Sequence, residues 1–381
     1  MLNIKHIRYF KVSIPFTMAF KHGSAERNET ESVLIEIVDQ NGLTGYGEGC
    51  PRSYVTGESI QTALRFYQTF HHHFLQINNL EHLIHFVTTN KQAIDTHPAA
   101  WCALEMALLD LLGKTDNKPV EPLLHRNTSR KEYRYTAILG DNSPETFNSL
   151  YQLYRQQGFT DFKVKLSDDP ARDREKMACM LPDASALTVR ADANNLWPSQ
   201  TAAIAHLAEL PISFVAIEEP IQANQLDALE SFAENTGTKV VLDESFLRAD
   251  QIESIAKNPD HWIINARVSK MGGLLRSLDI IDALVALKVD ITVGAQVGES
   301  SLLTRAALLL ADAAGECLRA QEGAFGTLLL EKDLFAPMLQ FGEGGKLTSS
   351  RVECRKSAGF GLELAEPVDQ NPSLDQIPIT F

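Results

Sequence analysis

The sequence predicts an α/β protein, a closed parallel β/α barrel preceded by a mixed α+β region. Three observations carry this reading. Eight short β-rich runs alternate with helical stretches between Tyr133 and Gln321. Five consecutive runs end in a charged residue at nearly constant spacing. The first 50 residues carry a different signal, that of strands and a hairpin.

Size and charge set the outer limits. The chain has 381 residues, 44% of them apolar and 22% charged, which suits a folded protein of two or three domains, or one barrel with additions. A chain of this length buries a large core without disulfides or a structural metal. The net charge of −14 repels phosphate backbones, so nucleic acid is not an expected partner. Cys50, Cys102, Cys179, Cys317 and Cys354 are odd in number, scattered and never in a C-x-x-C pair, the usage of reduced thiols in a cytoplasmic protein. Met1–Arg8 mixes charge with apolar residues and does not read as a signal peptide, and no apolar run reaches the roughly 20 residues of a membrane helix.

The elements follow in order. Ile4–Val12 reads as a strand, and Ser32–Val38 leads through Asn41-Gly42 into Leu43–Glu48 as a hairpin. Phe16–Glu31 and Gly49–Gly57 lack either period and read as irregular loops, candidates for a lid. Ser59–Leu124 is helical, with Ala99–Leu112 ending at a Gly113-Lys114 stop. His71-His72-His73 does not share one ion easily, because adjacent helical residues point apart. The barrel runs are Tyr133–Leu139, Asp161–Leu166, Leu187–Asp192, Ser213–Glu218, Lys239–Asp243, Trp262–Arg267, Asp290–Gly294 and Cys317–Gln321. Phe335–Phe381 is rich in Gly and Pro and reads as a tail packing back on the N-terminal region. The expected division is residues 1–128, 129–334 and 335–381.

The ends of the runs carry the chemistry. Lys165, Asp192, Glu218, Asp243 and Arg267 follow one another at intervals of 27, 26, 25 and 24 residues, about one βα repeat each. In a parallel barrel such positions ring the C-terminal mouth, where barrel active sites are built. Asp192, Glu218 and Asp243 would converge there, and three carboxylates so placed need protons or a cation. Oxygen donors without Cys or His favour Mg²⁺, with Mn²⁺ as a substitute. Any one of these acids alone reads as a helix cap or a local ion pair, but three in register beside two lysines do not. Lys163 and Lys165 leave the same face of their strand. A nearby metal lowers a lysine's pKa and suits it to act as a base, and a metal opposite an amine suits removal of the proton α to a carboxylate.

The ordered set K-x-K (Lys163, Lys165), D-x-N (Asp192, Asn194), E-E-P (Glu218-Glu219-Pro220) and D-E-S (Asp243-Glu244-Ser245) resembles the enolase superfamily, for which a Lys or His base with Mg²⁺ is a described pattern. Gly294–Ser300 and Glu322–Leu330 resemble the seventh- and eighth-strand segments of its muconate-lactonizing subgroup. The resemblance implies a modified TIM barrel, (β/α)7β, with an N-terminal α+β capping domain. It implies Lys165 as base, Lys163 as its electrostatic partner, and Asp192, Glu218 and Asp243 as metal ligands. It also implies a homo-oligomer, dimer or octamer. The mandelate-racemase branch uses a His–Asp dyad from strands six and seven; the last histidine here, His261, precedes strand six, which excludes that branch.

One departure bears on the reaction. Where the subgroup carries a second catalytic lysine, alignment on Gly272-Gly273 places Arg267, with Lys270 expected on the opposite side of the strand. Arginine stays protonated and is a poor acid or base, but it can hold a carboxylate or stabilise an anion. The dipeptide-epimerising members also carry D-x-D on the eighth strand, and Arg319-Ala320-Gln321-Glu322 lacks it. The expectation is therefore an enzyme acting on a small carboxylate by a one-base route, cycloisomerisation or syn-dehydration. Racemisation or epimerisation of an amino-acid or dipeptide derivative is the alternative, with Glu299 or water returning the proton. A catalytically silent metal-containing scaffold is the alternative of another class. Asn194, Glu299, Lys21, Arg52 and Tyr54 are candidate substrate contacts.

Overall fold

The computed structural model describes residues 1–22, 25–128, 130–324 and 329–378, and the side chains of residues 18–27 lie outside that description. The N-terminal region is built on a four-stranded antiparallel sheet. In spatial order its strands are Leu374–Gln376, Ile4–Val12, Ser32–Asp39 and Thr44–Gly49, so a strand from the end of the chain pairs with the first one. Against this sheet lies the helix Pro98–Asp116, buried almost throughout. Gly45, Gly47 and Gly49 alternate along their strand and present a face without side chains to it. A Cβ at Gly47 would stand 1.9 Å from the Ala103 carbonyl oxygen, so glycine there sets the spacing between helix and sheet.

The expected stop at Gly113 is absent. The helix continues to Asp116, and Asn117 ends it in the left-handed conformation at φ 50°. Gly113 serves packing instead, since a Cβ there would lie 2.7 Å from the Gly359 Cα. The stretch Phe16–Glu31, expected as an irregular loop, contains two paired strands, Pro15–His22 and Ala25–Glu29. Phe16, Met18 and Phe20 alternate with Thr17 and Ala19, a period-two strand signal, whereas Glu26–Glu29 is wholly polar and carries none.

The eight parallel strands of the barrel are Ala137–Leu139, Asp161–Lys165, Thr188–Asp192, Ala216–Glu218, Lys239–Leu242, Trp262–Ala266, Asp290–Val293 and Leu318–Gln321, each hydrogen-bonded to its sequence neighbours. Thr136 N–H donates to the Gln321 carbonyl at 2.8 Å and joins the first strand to the eighth. The long first run of the sequence splits in two: Glu132–Arg134 pairs antiparallel with Lys346–Thr348, and only Ala137–Leu139 enters the barrel. The fourth run is also shorter than expected, because Ser213–Val215 precedes the ladder.

This ladder positions the site. Lys165 pairs with Asp192, and Asp192 with Glu218, in direct register across three strands. Glu218 pairs with Val241, two residues before Asp243, so the acids climb by one rung toward the mouth. The arrangement is an α/β barrel behind an α+β cap, and among the described residues no helix is long and apolar enough to cross a membrane.

Candidate active site

One cavity at the C-terminal mouth is lined by Lys163, Lys165, Asp192, Asn194, Glu218, Asp243, Glu244, Arg267 and Glu322, with Tyr54, Ile138, Ala295 and Val297 as its less polar wall. The barrel strands thus bring both lysines, the three acids and Arg267 together. Tyr54 supplies the cap's contribution.

The two lysines hold different partners. Lys165 Nζ donates to Asp192 Oδ2 at 2.8 Å and to Asn194 Oδ1 at 3.1 Å. Asn194, in the left-handed conformation at φ 47°, also donates its backbone N–H to Asp192 Oδ1. Lys163 Nζ donates to Glu322 Oε2 at 2.6 Å and Glu218 Oε2 at 3.1 Å, with Asp192 Oδ2 at 3.6 Å. Burial works to lower the Lys163 pKa, but the charges of Glu218, Glu322 and Asp192 outweigh it and push the pKa up. Lys163 is therefore a fixed cation.

Arg267 Nη2 donates to Asp243 Oδ2, and Nη1 donates to Gln296 Oε1 at 2.9 Å. Asp243 is held from several sides. Lys270 Nζ donates to its Oδ1 and its carbonyl, both at 2.9 Å, while its backbone N–H donates to Glu219 Oε1 at 2.7 Å. Burial works to raise the Asp243 pKa, yet Arg267 and Lys270 hold it below the usual carboxylate range. Lys270, expected on the opposite side of the strand from Arg267, does not line the cavity, yet it reaches the Asp243 carboxylate. The sixth strand ends at Ala266, so the period-two rule stops there, and the following turn swings the ammonium back. Glu219, the second acid of E-E-P, also accepts from the backbone and hydroxyl of Ser245 in D-E-S, which ties the two motifs together.

Glu218 is pushed up to about 7, by burial first and then by the neighbouring Asp192, Glu322 and Asp243 charges, against the pull of Lys163. Three buried acids on adjacent strands thus concentrate negative charge at one mouth, and the ammonium and guanidinium groups offset it. Among the described residues no cluster of three His, Cys, Asp or Glu side chains is gathered tightly enough to hold an ion in this arrangement. The donor chemistry of Asp192, Glu218 and Asp243 nevertheless fits a hard divalent cation, since all three line one cavity and bear only oxygen donors.

Two candidate substrate contacts stand elsewhere. Arg52 is fully buried and does not line the cavity; its guanidinium donates to the carbonyls of Glu31, Pro51 and Val297 and staples the cap to the barrel mouth. Glu299 also lies off the cavity. It accepts from the Gln296 backbone N–H at 2.7 Å, and burial pushes its pKa up to about 8. The Lys21 side chain lies outside the described residues. Four site neighbours escaped the sequence reading: Glu322, Gln296, Glu244 and Asn265, whose amide donates to Glu218 Oε1 at 3.0 Å. Glu322 carried one available signal, an acid directly following the eighth run.

Residues 5–125 match the mandelate racemase/muconate lactonizing enzyme N-terminal domain, and residues 147–368 match the enolase C-terminal domain-like family. The chain is 27% identical over 327 residues to a hydrophobic dipeptide epimerase of Enterococcus faecalis, covering 84% of this chain and 90% of the relative. An N-succinyl-L-Arg/Lys racemase of Bacillus cereus is 24% identical, over 80% of this chain and 83% of its own length. The fold is similar to that of a dipeptide epimerase from Cytophaga hutchinsonii, complexed with Mg and the dipeptide D-Ala-L-Val, at a TM-score of 0.85 and 22% identity with both chains fully covered. The chain is an enolase-superfamily enzyme and belongs to the mandelate racemase/muconate lactonizing enzyme family, on the muconate-lactonizing side of it.

Proposed function

We propose that this enzyme removes the proton α to the carboxylate of a small acid, with Lys165 as the base, and that its reaction is racemisation or epimerisation of an amino-acid or dipeptide derivative. The observation that carries the proposal is the single cavity shared by Lys165, the three acids and two fixed cations. Neutral Lys165 Nζ takes the α-proton and becomes an ammonium, the substrate carboxylate becomes an enediolate dianion, and inversion follows when a water molecule returns a proton to the opposite face. Lys163 and Arg267 lie around the cavity as permanent positive charges for that dianion. Mg²⁺ held by Asp192, Glu218 and Asp243, with Mn²⁺ as a substitute, would add positive charge at the substrate carboxylate. Asn194 orients the Lys165 amine by accepting its hydrogen bond, and Tyr54, Ile138 and Val297 form a wall for the remainder of the substrate.

The racemase and epimerase reading of the outcome is supported by the activities named for the relatives, and Mg accompanies the dipeptide in the Cytophaga enzyme. Arg267 favours a second reading, one-base cycloisomerisation or syn-dehydration. A guanidinium paired with Asp243 cannot return a proton to the face opposite Lys165. The residue after the eighth strand adds one acid, Glu322, already paired with Lys163, while Arg319 on the strand pairs with Asp290 at 2.7 Å.

One experiment separates the outcomes. The enzyme with Mg²⁺ is incubated in D₂O with a panel of dipeptides, N-acyl amino acids and muconate-type acids, followed by ¹H NMR and chiral chromatography. Deuterium at the α-carbon with inversion supports racemisation or epimerisation. Exchange with retention, or a cyclised or dehydrated product, supports the one-base reading. Silence across the panel with metal bound refutes the proposal and leaves a binding scaffold.

A further inference from the structure

We propose that Gln296 is a positioning residue for Arg267, fixing the guanidinium in the cavity wall by accepting one of its hydrogen bonds. The inference deepens the α-proton chemistry above and rests on it for its kinetic part. Gln296 is 1% exposed, and it does not line the cavity, although its neighbours Ala295 and Val297 do. Its Oε1 accepts from Arg267 Nη1 at 2.9 Å, while Nη2 turns to Asp243, with Glu218 Oε1 at 3.8 Å. Arg267 Nε is buried with no partner. Gln296 and Asp243 are thus the two hydrogen-bond acceptors that orient the guanidinium among the described residues. Asp243 is also one of the acids suited to a cation, so its bond to Arg267 is open to competition. Gln296 carries no charge and faces no such competition.

Gln296 is itself held in place. Its backbone N–H donates to Glu299 Oε1 at 2.7 Å. The next residue, Val297, accepts Arg52 Nη2 at 2.5 Å, and Ser300 donates its N–H and hydroxyl to Glu48 at 3.0 and 2.5 Å. Arg52 and Glu48 belong to the cap, so the capping region fixes the segment that fixes Arg267. Donor logic sets the amide orientation, because Nε2 facing a guanidinium would oppose two donors. A charged group displaced by about 1 Å from its working position costs up to about 100-fold in rate.

The test uses Gln296→Met, which removes the acceptor and keeps the volume, and Gln296→Glu, which keeps the acceptor. Gln296→Met is expected to lower kcat for α-proton exchange by about 10- to 100-fold with KM within about threefold, and Gln296→Glu to restore kcat to within about fivefold of the parent. Nitrogen-15 NMR of the Arg267 side chain, its signals identified by their loss in Arg267→Lys, gives a readout independent of turnover. Separate Nη1 and Nη2 resonances are expected in the parent and in Gln296→Glu, and averaged ones in Gln296→Met. An unchanged kcat with separate resonances in Gln296→Met overturns the inference, and so does a Gln296→Glu variant as impaired as Gln296→Met. If the parent exchanges no substrate, the proposed function fails by itself, and the resonances alone decide the role of Gln296: averaging in Gln296→Met supports it and identical spectra overturn it.

Discussion

Replacing Lys165 by Met removes the proposed base and leaves most of its apolar stem, which makes the size of each loss readable from the geometry. Two hydrogen bonds go, to Asp192 at 2.8 Å and to Asn194 at 3.1 Å. A bond from a charged donor contributes roughly 1.5–3 kcal/mol, and a buried carboxylate left alone costs more. Asp192 is not left alone, because Lys163 Nζ remains 3.6 Å away. The net destabilisation is therefore expected near 1–2 kcal/mol, a modest shift in a urea unfolding curve. Catalysis should suffer far more. A positioned general base contributes about 10²–10⁴ in rate, equivalent to about 2.7–5.4 kcal/mol of barrier. The assay is α-proton exchange in D₂O, followed by NMR on the folded variant with Mg²⁺. A Lys165→Met enzyme that keeps exchange within about threefold of the parent would refute the assignment.

Other perturbations give equally definite outcomes. Arg267→Lys is expected to fold and, under the one-base reading, to add deuteration of the second face of the α-carbon, which chiral analysis of the recovered substrate measures against the parent; exchange confined to one face would show that a lysine there does not suffice. Chelation is expected to abolish exchange and Mg²⁺ to restore it, while Asp243→Asn weakens Mg²⁺ binding at least about tenfold by calorimetry. Arg52→Met should cost about 2–4 kcal/mol in urea unfolding, because three backbone carbonyls lose a buried donor. Glu299 has its pKa raised by burial to about 8, above its unfolded value, so its contribution is fully present below about pH 4.5 and is lost as pH rises toward 8. Glu299→Gln should thus flatten the fall in stability between pH 5 and 8, a fall of about 1 kcal/mol per pH unit from this group, with unfolding at both pH values as the check.

The ends of the barrel strands were legible because apolar runs stopping at a charge are unusual, and their even spacing mirrors the βα repeat. Lys165, Asp192, Glu218, Asp243 and Arg267 all come from that signal, Lys163 follows from its place two residues before Lys165, and the structure brings all six to one cavity. The residues around them were harder to read. Lys270 follows a turn whose direction no strand rule describes, and Gln296 matters only through a guanidinium 29 positions earlier. Arg52 read as a candidate substrate contact, yet its partners are carbonyls brought together by the docking of cap on barrel. Gly113 shows the same limit in the fold itself. A helix stop and a close-packed glycine look identical in sequence, and only the approach of Gly359 distinguishes them.

The central claim is that Asp192, Glu218 and Asp243 hold one divalent ion facing Lys165. Anomalous diffraction from crystals soaked with Mn²⁺ tests it directly. A single strong peak bonded to all three carboxylates, on the same cavity as the Lys165 amine, is the expected result. A peak outside the barrel mouth, or one bonded to none of the three acids, would contradict it.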